Sequence, residues 1–277
     1  MDRCIFCGEL FSPQRKRSEE HAAPQWCGEL LAEHLPPPPP DAPTPEHFWI
    51  LETADGREEV FRGTRDPFTT VAKDVCVPCN TGWMEELEDW AKQWLAAPVI
   101  GKGRALRFWR QACAASWAVK TALVWELVEA EHRTVPLDVL RIFHQLQRPG
   151  GRQQVWLGHY QGSQPHHSFR RTAAHLISSP PQGTENPQDA HGYLLAVTIG
   201  QLAMVTFGHT LAVPLASYSP GDALPGIPLH EQFPGKLIQI WPLTNEAVRW
   251  PPPAIIDDAT LDLIARSLGQ PMPEAGK

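Results

Sequence analysis

A chain of 277 residues can bury a sizeable core without covalent staples, so its six cysteines are not needed to hold it together. A formal net charge of −7 excludes a generic basic coat for nucleic acid, and no run approaches the roughly 18 apolar residues that span a membrane, so no membrane partner is expected. The charge is uneven: residues 1–100 carry 9 Lys/Arg against 18 Asp/Glu, residues 101–150 carry 8 against 4, and residues 151–277 carry 7 against 9.

In chain order, Cys4-Ile-Phe-Cys7 comes first, then the basic run Arg15-Lys16-Arg17, then Glu20-His21 ahead of the proline-containing turn HAAPQW. No apolar leader precedes Cys4, which predicts a reducing, cytoplasmic setting where Cys-x-x-Cys pairs read as metal sites before disulfides. Residues 34–47, HLPPPPPDAPTPEH, predict a stiff polyproline surface loop, because proline lacks the amide hydrogen and locks φ. Residues 48–63, FWILETADGREEVFRG, predict two strands around Ala54-Asp55-Gly56. Cys76-Val-Pro-Cys79 follows, with Asn80 expected to begin a helix.

From 82 to 97, Trp83, Leu87, Trp90, Trp94 and Leu95 recur at mostly helical spacing. Residues 105–132 predict a long helix with a broad apolar face through Trp109, Ala112, Cys113, Trp117, Val124 and Val128, the centre of a C-terminal core. A third helix is expected over 136–147, with its proline in the first turn. Beyond Gly150 the β-forming runs QQVWLGHY, HSFRRTAAHLIS, GYLLAVTIG, LAMVTFGHT and KLIQIWPL predict an antiparallel sheet packed on the long helix. A last helix, DATLDLIARSLG, ends on a glycine suited to a C-cap. Trp-Pro at 241/242 and 250/251 reads as sheet-edge packing. Arg15 to Arg17 and Lys102/Arg104/Arg107/Arg110 are each either solvated surface or phosphate contacts.

Two Cys-x-x-Cys pairs offer four thiolates, Cys4, Cys7, Cys76 and Cys79, enough to close a tetrahedral structural zinc site. Gly8 after the first pair and Pro78 within the second suit tight knuckles. A closed four-sulfur site has no open position for a substrate, so chemistry must come from the groups it positions. Those are Glu20-His21 and Asn80. Glu85, Glu86 and Glu88 read as a solvated acidic face, Cys27 and Cys113 as small buried groups, His166-His167 as surface loop, and His132, His144 and His175 as element-edge residues.

The pattern Cys4-x-x-Cys7, Glu20-His21, Cys76-x-x-Cys79-Asn80 resembles the HNH, or His-Me finger, endonucleases, specifically the zinc-bearing branch typified by phage endonuclease VII. The resemblance covers about residues 1–90. It implies a zinc-stabilised ββα module of treble-clef type holding one catalytic divalent cation, Mg2+ or Mn2+, between the acidic residue and the Asn. His21 would be the general base, and Glu20 and Asn80 the ligands of that cation. Glu20 stands where the family usually has Asp, and no Asn lies between His21 and Asn80, so Thr70, Lys73 or Asp74 takes the place of the family's middle Asn.

The expected fold class is therefore α+β: an HNH-type module over residues 1–100, then an α+β domain over 101–277 concerned with substrate choice, dimerisation or regulation. The expected function is metal-dependent hydrolysis of phosphodiester bonds in DNA, with a bacterial defence effector and a homodimer as open options. The rival is a non-catalytic zinc module that binds nucleic acid or protein.

Overall fold

The β-forming runs after Gly150 place apolar side chains on both sides of each strand, and the computed structural model of the protein buries both faces of the resulting sheet. The structure describes residues 2–35, 46–52, 58–64, 66–128, 133–163, 167–178, 188–210 and 229–267. In its first third lie strand β1 (Glu20–His21), helix α1 (Gln25–His34), strands β2 (Glu46–Glu52), β3 (Glu58–Thr64) and β4 (Val71–Ala72), and a short helix α2 (Val77–Cys79). A π-helical turn (Asn80–Met84) joins α2 to helix α3 (Glu85–Val99), followed by strand β5 (Arg104–Leu106) and helices α4 (Phe108–Val128) and α5 (Leu137–Leu146). The remainder holds strands β6 (Gln153–Tyr160), β7 (His167–Ser178), β8 (Gln188–Ile199) and β9 (Leu202–His209), and helix α6 (Leu229–Gln232). Strands β10 (Leu237–Trp241), β11 (Val248–Trp250) and β12 (Ile255–Ile256) and helix α7 (Asp258–Arg266) complete it.

The large sheet runs β10-β6-β9-β8-β7-β2-β3, with β12 added beside β6. Its pairs are antiparallel except β2 with β7 and β12 with β6, which are parallel. The two-residue period of the strands divides their side chains between two cores. Val155, Leu157, Leu195, Val197 and Met204 join the core that contains α4. Trp156, Leu194, Ala196, Ala203 and Val205 join a second core with Leu261 and Ile264 of α7. Asp257 caps α7, its carboxylate accepting from the Thr260 amide.

Helix α4 is buried on all sides from Ala114 to Leu127, as a central helix must be. It packs on β6, β8, β9 and β10 and also on α3 and β4. One core thus contains residues from both segments expected as separate domains, from Cys4 to Trp250. The hairpin β2–β3, which lies between the two cysteine pairs, crosses position 100 as well, because β2 pairs with β7 from His47↔Phe169 to Leu51↔Ala173.

Several boundaries differ from the sequence reading. The helix expected to begin at Asn80 begins at Val77, since Pro78 suits a first turn, and Asn80 opens the π-helical turn. The long helix begins at Phe108, because Arg104–Leu106 is taken up as β5 against β11. Pro136 is the N-cap of α5 instead of lying in its first turn. Helix α1 was not expected at all; it buries Trp26, Cys27 and Leu31. The polyproline run from 36 to 45, the hairpin turn at Ala54-Asp55-Gly56 and the expected C-cap Gly269 lie outside the described residues. No described helix is long and apolar enough to cross a membrane.

Candidate functional site

The two knuckles are local structures that meet. Cys4 and Cys7 sit on a turn closed by Gly8 N–H to the Cys4 carbonyl, and Gly8 has φ +76°, a conformation natural to glycine. Cys76 is the N-cap of α2, and its carbonyl accepts from the amides of Cys79 and Asn80. The Cys76 amide in turn donates to Cys4 Sγ at 3.4 Å, joining the knuckles directly. Beneath them Phe6 packs edge-on to Trp83, and Trp83 to Phe143 of α5.

All four sulfurs lie within 4.8 Å of one another. A tetrahedral ion with bonds of about 2.3 Å sets its sulfur ligands about 3.8 Å apart. Cys4 and Cys79 are 3.9 Å apart, and Cys7 and Cys76 are 3.8 Å apart. The cluster can therefore hold a metal such as zinc with little rearrangement. The hydrogen bond with Cys79 holds the Cys4 thiol well below the usual thiol range, against the opposing effect of burial. The same bond, reinforced by burial, pushes Cys79 upward. Arg15 Nη1 donates to Cys76 Sγ at 3.4 Å and Cys7 Sγ at 3.6 Å, placing a cation where four thiolates would leave excess negative charge. Among the described residues, this is the one cluster of three or more His, Cys, Asp or Glu ligand atoms close enough to share an ion.

Next to this cluster is a cleft of about 250 Å³ lined by Glu19, Glu20, His21, Asn80, Glu85 and Glu88, with Pro24, Gln25, Trp26 and Thr81 completing its wall. Glu20 and His21 reach it from β1, held against β4 by the Glu20↔Ala72 and His21↔Val71 pairs. Asn80 reaches it from the opening of the π-helical turn. Asn80 Nδ2 donates to the Glu19 carbonyl at 3.3 Å, so its amide oxygen is the end left for a ligand. His21 Nε2 is 3.1 Å from Gln25 Nε2; with the amide donating, Nε2 accepts and the ring proton sits on Nδ1. The three residues named from the sequence thus share one cleft, although His21 and Asn80 are far apart in the chain.

Two further residues belong to the site. Lys120 of α4, 1% exposed, donates through Nζ to Glu20 Oε1 and, at 2.5 Å, to Glu88 Oε1. Burial alone would lower the Lys120 pKa, but the two carboxylates outweigh it and hold the ammonium charged well above the usual lysine range. Burial raises Glu20, with Lys120 acting in the opposite direction. Glu88, read as solvated, is half-buried, while Glu85 and Glu86 are exposed as expected. The signal for Lys120 was available: a lysine amid the apolar run ASWAVKTALVW cannot be buried without an anionic partner.

The middle-Asn candidates stay outside the cleft lining. Asp74 pairs with Arg17, Lys73 with Glu19, and the Thr70 carbonyl accepts from the Ala22 amide, tying down the chain just after His21. Cys27 is buried as expected. His144 packs against Trp83, whereas His167 is no surface residue: it opens β7, fully buried and stacked on Trp125 at 4.4 Å. Side chains at His132, His166 and His175 lie outside the described residues. No family model, curated protein or solved structure matches this chain, so any functional reading has to rest on its own residues.

Proposed function

We propose that the protein is a metal-dependent endonuclease of the HNH type that hydrolyses phosphodiester bonds in DNA, with a zinc ion on Cys4, Cys7, Cys76 and Cys79 as its structural anchor. The observation that carries this reading is the convergence of Glu20, His21 and Asn80 on one cleft beside the thiol cluster. Further support comes from the order of elements: an antiparallel strand pair, β1 with β4, followed by the helix that opens at Val77, suits a ββα module.

The donor set suits a hard divalent cation such as Mg2+ or Mn2+, which Glu20 and Asn80 would hold through oxygen. When bound, such an ion polarises the phosphoryl oxygen and offsets charge on the leaving oxygen. The chain's own residues supply the rest. His21 accepts the proton of the attacking water, for which a neutral imidazole is suited at working pH. Gln25, on the first turn of α1, must release Nε2 if that nitrogen is the base. Lys120 fixes Glu20 from behind through Oε1, leaving the second carboxylate oxygen for the cation.

The Lys120–Glu20 pair also favours the rival reading, a zinc module that binds without cutting, because an ammonium already balances the buried carboxylate. Incubating purified protein with supercoiled plasmid, with and without Mg2+ or Mn2+, separates the two. The nuclease reading expects metal-dependent nicking that is lost in His21→Ala. No nicking by the wild type with either metal would leave the binding module.

A further inference from the structure

Among the described residues, the exposed large aromatic side chains belong to α3 and the start of α4. Trp90 of α3 is 56% exposed, and Phe108 and Trp109 at the start of α4 are 51% and 46% exposed. Trp90 and Trp109 are neighbours, and Phe108 precedes Trp109 in the chain: Trp109 stands edge-on to Trp94 at 5.0 Å and to Trp90 at 6.4 Å between ring centroids. Exposed aromatic groups gathered this way mark an interaction surface.

The surface is also strongly cationic. Residues 101–110 contain Lys102, Arg104, Arg107 and Arg110 and no acidic residue, in a chain of net charge −7. Arg110 sits over Trp94 with its Cζ 3.6 Å from the ring centre, and Arg104 approaches the same ring at 5.1 Å. Arg110 Nη1 donates to the Ala105 carbonyl and Arg104 Nη2 to the Gln93 carbonyl, which fixes both guanidiniums on the rings. Loss of hydration, then repulsion from Arg104 and Arg107, lowers the Arg110 pKa, so the cations are close enough to feel one another.

We infer that this face, built from Trp90, Phe108, Trp109, Arg104, Arg107 and Arg110, binds a nucleic-acid strand with unpaired bases. Bases stack on the exposed rings while phosphates meet the guanidiniums and Lys102. That combination, a cationic track interleaved with exposed aromatic rings, is what sequence-independent binding of single strands requires. A duplex hides the π-faces of its bases and can use only the charges. The face goes beyond the cleft: Trp90 lies only two residues past Glu88 along α3, a rise of about 3 Å, but about 200° around the helix, so the two residues stand on opposite sides of α3.

The test is fluorescence anisotropy of a labelled oligothymidine of about twelve nucleotides and of a duplex of equal length, titrated with the full chain without added Mg2+ or Mn2+. The single strand should bind more tightly. Trp90→Ala with Trp109→Ala should weaken it by roughly tenfold or more while leaving the salt dependence unchanged. Lys102→Gln with Arg107→Gln should instead flatten the salt dependence, by about 0.7 for each phosphate no longer neutralised. Trp109→Phe should retain most of the binding, and a melt equal to wild type shows that each variant is folded. Wild-type affinity in the folded double tryptophan variant would overturn the inference, as would a wild-type dimer that Trp109→Ala converts to monomer. Wild-type protein that binds the oligonucleotide yet leaves plasmid uncut with Mg2+ or Mn2+ would end the nuclease reading and leave this one standing.

Discussion

Lys120 Nζ on the central helix donates to Glu20 Oε1 on the first strand, joining residues 100 positions apart inside the protein. Because Lys120 is fully buried and Glu20 nearly so, neither charge can be left alone. Lys120→Met should therefore destabilise the fold by about 3–5 kcal/mol, the usual cost of stranding a buried partner. Adding Glu20→Gln should recover much of that loss, since the orphaned charge is removed. Denaturant unfolding of the four proteins of this cycle checks it; a near-additive double variant would mean that the pair is not coupled.

The thiol cluster predicts one zinc per chain. Metal binding at such sites supplies on the order of 10 kcal/mol, so Cys76→Ser should lose the ion and melt far below wild type. Cys27→Ala, which alters a buried thiol outside the cluster, should retain full metal content. Arg15→Ala should keep the ion but lose it faster to a chelator, because two hydrogen bonds to sulfur are gone. Elemental analysis and chelator kinetics measure these outcomes.

If the cleft cuts DNA, His21→Ala should reduce the rate by at least about a hundredfold with zinc content unchanged. Asn80→Ala should raise the Mg2+ or Mn2+ concentration needed for half-maximal cutting, having removed one oxygen ligand. Glu20→Gln should do the same and, in addition, loosen Lys120, so it alone of the two should also lower the melting temperature. A Glu20→Gln protein with an unchanged metal requirement would place the cation elsewhere.

The turn between β8 and β9 is the seam between α3 and the sheet: the Gln201 amide donates to the Val99 carbonyl at 2.8 Å. Gly200 makes that approach feasible, with φ +56° and a position where an added Cβ would lie 2.2 Å from the same carbonyl oxygen. Gly200→Ala should cost about 2 kcal/mol or more, combining left-handed backbone strain with a backbone clash. A melt within experimental error of wild type would show that the seam yields.

Much of this was legible because it is written locally. Residues 153–160 are rich in β-formers and bounded by turn signals, and β6 spans those residues. The knuckle cysteines announce themselves by spacing. What was not legible depends on partners distant in the chain. Arg104–Leu106 belongs to a good helix-forming stretch and becomes a strand only because Val248–Trp250 lies beside it. The sequence shows that Lys120 needs an anionic partner but not which, since its two carboxylates come from β1 and α3. Arg15 and Arg17, read as solvated surface or phosphate contacts, are engaged by sulfur and by Asp74.

The parallel pairing of β2 with β7 also sets an order of events during synthesis. All four cysteines have been made by residue 79, so a metal can close the knuckles while most of the chain is still unmade. The hairpin looped out between them finds its neighbour only after Ala173 emerges, about a hundred residues later, or roughly 5–20 seconds at ordinary elongation rates. Until then β2 is an open strand edge, able to pair with a neighbouring nascent chain. With a metal bound, the knuckles would close before the hairpin is covered, and the open edge of β2 is the part of the nascent chain exposed to misassembly in that interval.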